Sequence, residues 1–402
     1  MKKYSKLVSL ALAALMVLSL AACNGNNATA DSSAPEASTE LTPDTTNNPD
    51  TSLPPADSTG AEDTTPAGPV YEDVVLNVVD VLDNVKVLGR SMICDDGLAV
   101  DWPASGIEFN AYCKGEIKIT LTSTEPCKFA VYVDGTQVDD IKASAGTADY
   151  TVATDLAEGL HSVGLVKKSD NAVESTPDIL TSISKIALCG QLDVRQEDKE
   201  FLIEFVGDSI TCGLGTVAAG SMETDATATY AYRLAQLLGV DYSFVAVSGI
   251  GVLESTDQNN GLLMSDIYSY TNYYRDQTVK YEPTRKADLV IVALNTNDNG
   301  RVQNSDRNAY WEKSDALLSQ IRAIHGEDVK ILWVSALMFN TGTADSFISY
   351  SFRNRLGGED AGYYYTTATP NSAGAFSHPS AEGHAANAEI IANYIREKNL
   401  LG

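Results

Sequence analysis

Phe201-Leu202-Ile203-Glu204-Phe205-Val206-Gly207-Asp208-Ser209 decides the fold. Its first six residues are almost continuously apolar, the pattern of a strand covered on both faces of a parallel sheet. Gly207 then permits a tight strand-to-loop turn that leaves the Ser209 hydroxyl exposed. Downstream, helical spacing over Thr229–Leu238 ends at Gly239, a C′ residue. Tyr242–Val247 and Ala287–Leu294 read as strands, Trp311–Ile324 as an amphipathic helix, Val329–Ser335 as a strand and Glu382–Lys398 as a last helix. This alternation predicts an α/β domain with a parallel sheet over residues 196–402.

Upstream, residues 70–195 carry short strands and turn punctuation with no amphipathic helix. Strands are expected at Val85–Gly89, Gly106–Asn110, Glu116–Leu121, Phe129–Val133, Ala148–Val152, His161–Lys167 and Ile183–Leu188. Asp134-Gly135 marks a hairpin turn. The closely spaced strands predict an all-β sandwich, of which a jelly roll is one form.

The N-terminus is an address rather than structure. Lys2, Lys3 and Lys6 precede an apolar run from Leu7 to Leu20, and Leu20-Ala21-Ala22-Cys23 supplies small residues before a cysteine. Residues 1–23 resemble a bacterial lipoprotein signal, which implies lipid attachment at Cys23 and a protein held at the outer cell surface. Residues 24–69 hold eight acidic residues, seven prolines and no Lys or Arg. That composition cannot bury enough apolar surface to offset chain entropy, so a disordered linker is expected.

The 402-residue chain has 28 basic and 54 acidic residues, a formal net charge of −26. Such a field repels phosphate backbones and excludes a general nucleic-acid binder. A membrane partner is expected only through the N-terminal lipid. Beyond Cys23, the cysteines Cys94, Cys113, Cys127, Cys189 and Cys212 are odd in number and lack CxxC spacing. Neither a zinc site nor a full disulfide framework is indicated. No pair among the four histidines has metal spacing, so neither metal nor cofactor is expected.

Ligand sites in such sheets lie at the carboxyl ends of strands. Three ends carry chemistry: Gly207-Asp208-Ser209, Ser248-Gly249-Ile250-Gly251 and Asn295-Thr296-Asn297-Asp298. A fourth element, His378-Pro379-Ser380, precedes the last helix. Serine is a weak nucleophile until a base such as His378 takes its proton. The Ser209 and Gly249 amides and the Asn297 side chain can serve a developing oxyanion, with Gly251 a weaker alternative to Gly249. Asp208 reads as a turn cap, and His384 as a residue of the last helix. Tyrosine clusters at 268–274 and 363–365 fit either a sugar-stacking cleft or ordinary packing.

The order Gly207-Asp208-Ser209, Gly249, Asn297, His378 resembles that of the SGNH (GDSL-type) hydrolases. The extended stretch from Ile203 to Gly213, with Leu98–Phe109 upstream, is similar to carbohydrate esterase family two, which joins a β-sandwich to an SGNH domain. The resemblance implies a three-layer hydrolase domain with Ser209 as nucleophile and His378 as base, acting without a cofactor. It further implies removal of O-acetyl groups from a plant-wall polysaccharide such as xylan or glucomannan, the expected partner. Another SGNH acyl specificity, of lipase or arylesterase type, and a non-catalytic glycan-binding lipoprotein are the rival expectations. Two positions depart from the superfamily pattern: Asn295 stands where a glycine is usual, and Ala375 where an Asp usually supports the histidine. With no carboxylate between Gly362 and Glu382, a Ser–His dyad is expected, with a backbone carbonyl at or near Phe376 orienting His378.

Overall fold

The parallel sheet is built as the continuous apolar runs require. A computed structural model describes residues 68–171, 178–217 and 221–402; the signal segment, Cys23 and the acidic stretch to residue 67 lie outside the described residues.

Nine antiparallel strands come first: β1 (Asp73–Asn77), β2 (Val85–Leu88), β3 (Met92–Cys94), β4 (Gly97–Ala99), β5 (Gly106–Ser123), β6 (Cys127–Val133), β7 (Thr136–Ala143), β8 (Gly146–Lys167) and β9 (Thr181–Leu192). They form a jelly-roll-like sandwich whose hydrogen bonding is continuous, in the order β3-β4-β9-β5-β8-β6-β7, with β1 on β9 and β2 on β5. Their inward residues, among them Ile107, Phe109, Ile119, Phe129, Val131, Leu165 and Ile186, make one apolar cluster. The hairpin at Asp134-Gly135 has φ of +50° and +75°, the two positive values a type I′ turn requires. Sequence divides β5 and β8 into two short strands each. Register shifts between Cys113 and Lys118 bend the pair without ending its ladder, so each runs on as one long strand.

The second sheet is fully parallel. Its strands are β10 (Leu202–Gly207), β11 (Asp241–Ala246), β12 (Leu289–Ala293), β13 (Lys330–Ser335) and β14 (Tyr363–Thr367), in the order β11-β10-β12-β13-β14. Around it stand α1 (Ser209–Cys212), α2 (Tyr230–Leu238), α3 (Met264–Ile267), α4 (Arg307–His325), α5 (Thr343–Asn354) and α6 (Ala381–Glu397). Strand residues alternate between two cores. Ile203, Phe205, Ile291 and Leu332 face α2 and α6, while Val206, Val290, Val292 and Trp333 face α3, α4 and α5. Gly239 closes α2 with φ +65°, as expected of a C′ glycine. Helices α3 and α5 and strand β14 are additional to those expected from the sequence, as are β1, β3, β4 and β7 in the antiparallel half. The Tyr-Tyr-Tyr-Thr-Thr run of β14 lacks an apolar stripe but suits an edge strand, where Tyr and Thr are favoured.

The two sheets share their cores. Leu88, Ala104 and Val166 enter the first parallel-sheet core, and Trp102 enters the second, its Nε1 donating to the Thr271 carbonyl at 2.7 Å. Among the polar contacts that cross this boundary is a fully buried ion pair. Glu204, the single charge in the β10 run, points into the second core and pairs bidentately with Arg90 at 2.9 and 3.1 Å. The Arg90 guanidinium also donates to the Tyr268 and Tyr270 carbonyls and sits 4.0 Å from the centre of the Tyr281 ring. Tyr268 Oη at 2.6 Å, His325 Nε2 at 3.0 Å and Ser243 Oγ at 3.3 Å complete the carboxylate's partners. Burial alone would raise the Glu204 carboxyl, but Arg90 and His325 hold it well below the usual carboxylate range.

Removing one member of such a pair leaves a buried, unpaired charge. Arg90→Met should therefore cost about 3–5 kcal/mol of unfolding free energy, and a Glu204→Met change on top of it should restore most of that. Urea unfolding of the two variants checks this; a single variant as stable as the parent contradicts it.

Candidate active site

Strand order reverses at β10: the chain passes from it to β11 on one side and to β12 on the other. The crevice at this switch point lies beyond the carboxyl ends of three adjacent strands. Ser209 follows β10, Gly249 follows β11 and Asn297 follows β12, so three distant segments meet without any long excursion.

Ser209 opens α1, where its amide has no intrahelical partner. Asp208 caps the turn, accepting from the Ile210 amide at 3.0 Å. Burial pushes the Asp208 carboxyl up to about 7. It faces inward and takes no direct part at the cavity wall. Ser209 Oγ lies 2.8 Å from His378 Nε2. On the far side of the ring, His378 Nδ1 lies 3.1 Å from the Phe376 carbonyl oxygen, so Nδ1–H donates there and Nε2 is left to accept the serine proton. Reaching back two residues requires a tight turn: Phe376 and Ser377 have φ of +52° and +61°. Burial pulls the imidazole below its ordinary value, against the opposing pull of that carbonyl.

The donors lie opposite. Gly249 has φ +78°, and a Cβ there would stand 2.0 Å from Thr256 Oγ1, so no other residue fits. The Ser248 carbonyl of the same peptide accepts from Gln258 Nε2 at 2.6 Å and Asn259 Nδ2 at 3.0 Å. A trans peptide aims its N–H opposite its C=O, so these two contacts fix the direction of the Gly249 N–H. Gly251 is spoken for, since its amide donates to Ser255 Oγ at 3.0 Å. Asn297 Nδ2 gives one hydrogen to the Ile250 carbonyl at 2.8 Å and has a second to offer. Asp298 binds the Val252, Leu253 and Glu254 amides at 2.7–2.9 Å, ordering the loop after Gly249; burial raises its carboxyl to about 6.

Asn295, in the usual glycine position, adopts φ +89°. Its side chain meets that strain with two contacts, donating to Asp345 Oδ1 at 2.8 Å and accepting from Tyr310 Oη at 2.5 Å. Asp345 also accepts from Asn299 Nδ2 at 3.0 Å and Ser335 Oγ at 2.8 Å. The backbone that carries Asn297 is thus held from both sides.

Together these residues wall a cavity of about 330 Å³. Ser209, Gly249, Asn297 and His378 all line it, and among the described residues none that line it is Asp, Glu, Lys or Arg. Neither tyrosine cluster reaches it. Tyr268 is buried against Glu204, Tyr270, Tyr273 and Tyr274 pack edge-to-face, and Tyr363 to Tyr365 lie on β14. The aromatic walls are instead Phe339 and Phe376, about half exposed. Phe339 lies just past the carboxyl end of β13, outside the three strand ends that carry the sequence motifs. His384 is remote in function: its Nδ1 accepts from the Tyr230 amide, and burial lowers it to about 3. Cys94, Cys113, Cys127, Cys189 and Cys212 are all free thiols. Among the described residues no cluster of three metal-ligating side chains occurs.

Residues 87–177 match the carbohydrate esterase 2 N-terminal family model, and residues 205–386 the GDSL-like lipase/acylhydrolase family. The chain is 27% identical over 272 residues to the cellulase/esterase CelE of Acetivibrio thermocellus, covering 65% of this chain and 32% of that protein. It is 26% identical over 242 residues to an acetylxylan esterase/glucomannan deacetylase of Cellvibrio japonicus, covering 58% of this chain and 64% of the relative. It thus spans about a third of one curated relative and under two thirds of the other. A family two carbohydrate esterase from Clostridium thermocellum, solved in complex with cellohexaose, superposes with a TM-score of 0.67 at 25% identity, over 79% of this chain and all of that one. With both halves matched and the strand-end motifs meeting at one cavity, the chain joins a carbohydrate esterase 2 N-terminal domain to a GDSL-like (SGNH) hydrolase domain, and its relatives and structural neighbours include family two carbohydrate esterases.

Proposed function

We propose that this chain is a serine esterase that removes O-acetyl groups from a neutral plant-wall polysaccharide, xylan or glucomannan, through a Ser209–His378 dyad. The observation that carries the reading is the 2.8 Å contact between Ser209 Oγ and His378 Nε2 at a cavity ringed by the Ser209, Gly249 and Asn297 donors. Ser209 Oγ attacks the acetyl carbonyl as Nε2 takes its proton, and the carbonyl oxygen becomes an oxyanion facing those donors. His378 returns the proton to the sugar oxygen, which leaves as the alcohol. A water, deprotonated in turn by His378, cleaves the acetyl-enzyme and releases acetate. The Phe376 carbonyl holds the ring with Nδ1–H outward, the tautomer this exchange needs.

Charge bears on the substrate. An uncharged cavity wall on a chain of net charge −26 disfavours polyuronates and favours neutral glycans. The named activity of the Cellvibrio relative points to the same class. The leader and Cys23 support an extracellular, lipid-tethered protein; a Cys23→Ala variant should leave the membrane fraction, and its retention there would contradict the tether.

Ser209→Ala should lower acetate release by about 10⁴-fold or more, from 4-nitrophenyl acetate and from acetylated xylan or glucomannan. Retained activity would falsify the nucleophile, and a preference for octanoyl over acetyl esters would favour the lipase-like alternative suggested by Leu214, Met222 and Met338 in the wall. The same assays across pH read the base. His378 works only when unprotonated, and its lowered pKa keeps it so further into acid. The acid limb of kcat/KM should therefore have its midpoint below about 6.5, with a plateau at neutrality.

A further inference from the structure

Asp170 belongs to the segment that follows β8, in the antiparallel half, yet its carboxylate ends beside the proposed oxyanion hole. The segment is clamped there by the parallel half. The Lys168 carbonyl accepts from the Ala226 amide at 2.9 Å, and the Asp170 amide donates to Thr224 Oγ1 at 2.8 Å. Lys168 Nζ adds ion pairs to Asp140 at 2.7 Å, within the antiparallel half, and to Asp225 at 2.8 Å, across the boundary. So held, Asp170 is fully buried. Its Oδ2 accepts from the Ser248 amide at 3.1 Å, and its Oδ1 from the Asn171 amide at 2.6 Å. Its other neighbours are the side chains of Ser248 and Cys212, the latter in the short helix that Ser209 opens.

Ser248 is the residue immediately before Gly249. Its carbonyl is fixed by Gln258 and Asn259 from the loop beyond, and its amide is fixed by Asp170 from the other half of the protein. Removing the carboxylate frees the Ser248 N–H side of that hinge. The Val247–Ser248 peptide that carries this N–H can then turn about ψ of Val247 and φ of Ser248, which displaces the Ser248 Cα and the adjoining Ser248–Gly249 peptide, so the Gly249 N–H moves out of line with the reacting oxygen. Burying a carboxyl beside apolar cores is costly unless its oxygens are bonded, and here one oxygen is bonded within its own segment, by the Asn171 amide, and the other by the backbone of the oxyanion loop, at Ser248.

We propose that Asp170, supplied by the sandwich half, is a positioning residue for the oxyanion hole, aligning the Gly249 amide through Ser248. The sandwich is then more than a neighbour of the hydrolase fold: it completes the preorganisation of the site. This rests on the assignment of Gly249 as an oxyanion donor made above. It adds a residue that touches neither substrate nor nucleophile.

The test uses the whole protein with Asp170→Ala and Asp170→Asn, comparing kcat and KM for 4-nitrophenyl acetate, the rate of labelling by a fluorophosphonate, and Tm. Misplacing a donor by about an ångström costs up to about a hundredfold. Asp170→Ala should therefore lose about tenfold to a hundredfold in kcat and in labelling rate, with KM within about twofold. Asp170→Asn keeps one acceptor oxygen but turns an NH₂ toward one of the two amides. It should lose less than the Ala variant while remaining clearly slower than the parent. Combining Asp170→Ala with Asn297→Ala should cost less than the product of the two single effects, because both serve one oxyanion. Full kcat in Asp170→Ala overturns the proposal, as do equal losses in the Ala and Asn variants that merely track a lowered Tm. Should the Ala variant not fold, parental kcat in the Asn variant is decisive against it. Labelling distinguishes this failure from failure of the parent reading. A wild-type protein inert to the fluorophosphonate sinks the esterase assignment, whereas a reactive wild type with equally reactive Asp170 variants sinks only the role of Asp170.

Discussion

The reversal of strand order at β10 is the constraint from which the rest follows. Parallel strands deliver their carboxyl ends to one edge of the sheet, and the reversal opens a crevice between the connections on either side. A hydroxyl from the first strand and donors from the two neighbours therefore converge without long loops, and only the histidine has to arrive from elsewhere. Glu204 shows how strongly that central strand is fixed. It is the one charged residue in an apolar run, and it is tied to Arg90, Tyr268 and His325, residues from three other parts of the chain.

Precision at the crevice rests on strained backbone. Asn295, Phe376 and Ser377 all adopt positive φ, a conformation that costs a non-glycine residue of order 1–3 kcal/mol. Each strained position serves the site directly. Asn295 turns the chain so that Asn297 reaches the cavity, and the Phe376–Ser377 turn brings a carbonyl under the histidine ring. The compensation is visible for Asn295, through Asp345 and Tyr310. At the histidine it is the close seating of the turn: the Ala375 amide donates to the Gly215 carbonyl, and the Gly374 amide to the carbonyl of His378. A buried, prealigned set of dipoles needs little reorganisation when charge develops on the substrate oxygen.

Much of this was legible in the sequence because it is written locally. Unbroken apolar runs identify strands buried on both faces, and a residue such as Ser209 or Asn297 directly after one of them must lie at a strand end. The long strands β5 and β8 were harder, since a bulge mimics a break. Strand β14 carries tyrosines and threonines rather than an apolar stripe, so it reads as a tyrosine cluster. That cluster and the one around Tyr268 raised the prospect of a sugar-stacking cleft, because aromatic count says nothing about which way a ring faces. Phe339 and Phe376 face the cavity instead, from loops whose path only the assembled fold determines. Asp170 was beyond reach for the same reason. No local pattern connects a turn at the end of β8 with a loop at the end of β11, and only the packing of one half on the other brings them together.

In the proposed site, one serine, one imidazole and a set of fixed N–H donors surround a single reacting centre. Trapping that centre tests it most directly: a crystal structure of the full protein after reaction with a methyl fluorophosphonate. Phosphorus should be bonded to Ser209 Oγ, with one phosphonyl oxygen within about 3 Å of the Ser209 and Gly249 amides and Asn297 Nδ2. An adduct on another residue, or one whose phosphonyl oxygen turns away from all three donors, would contradict it.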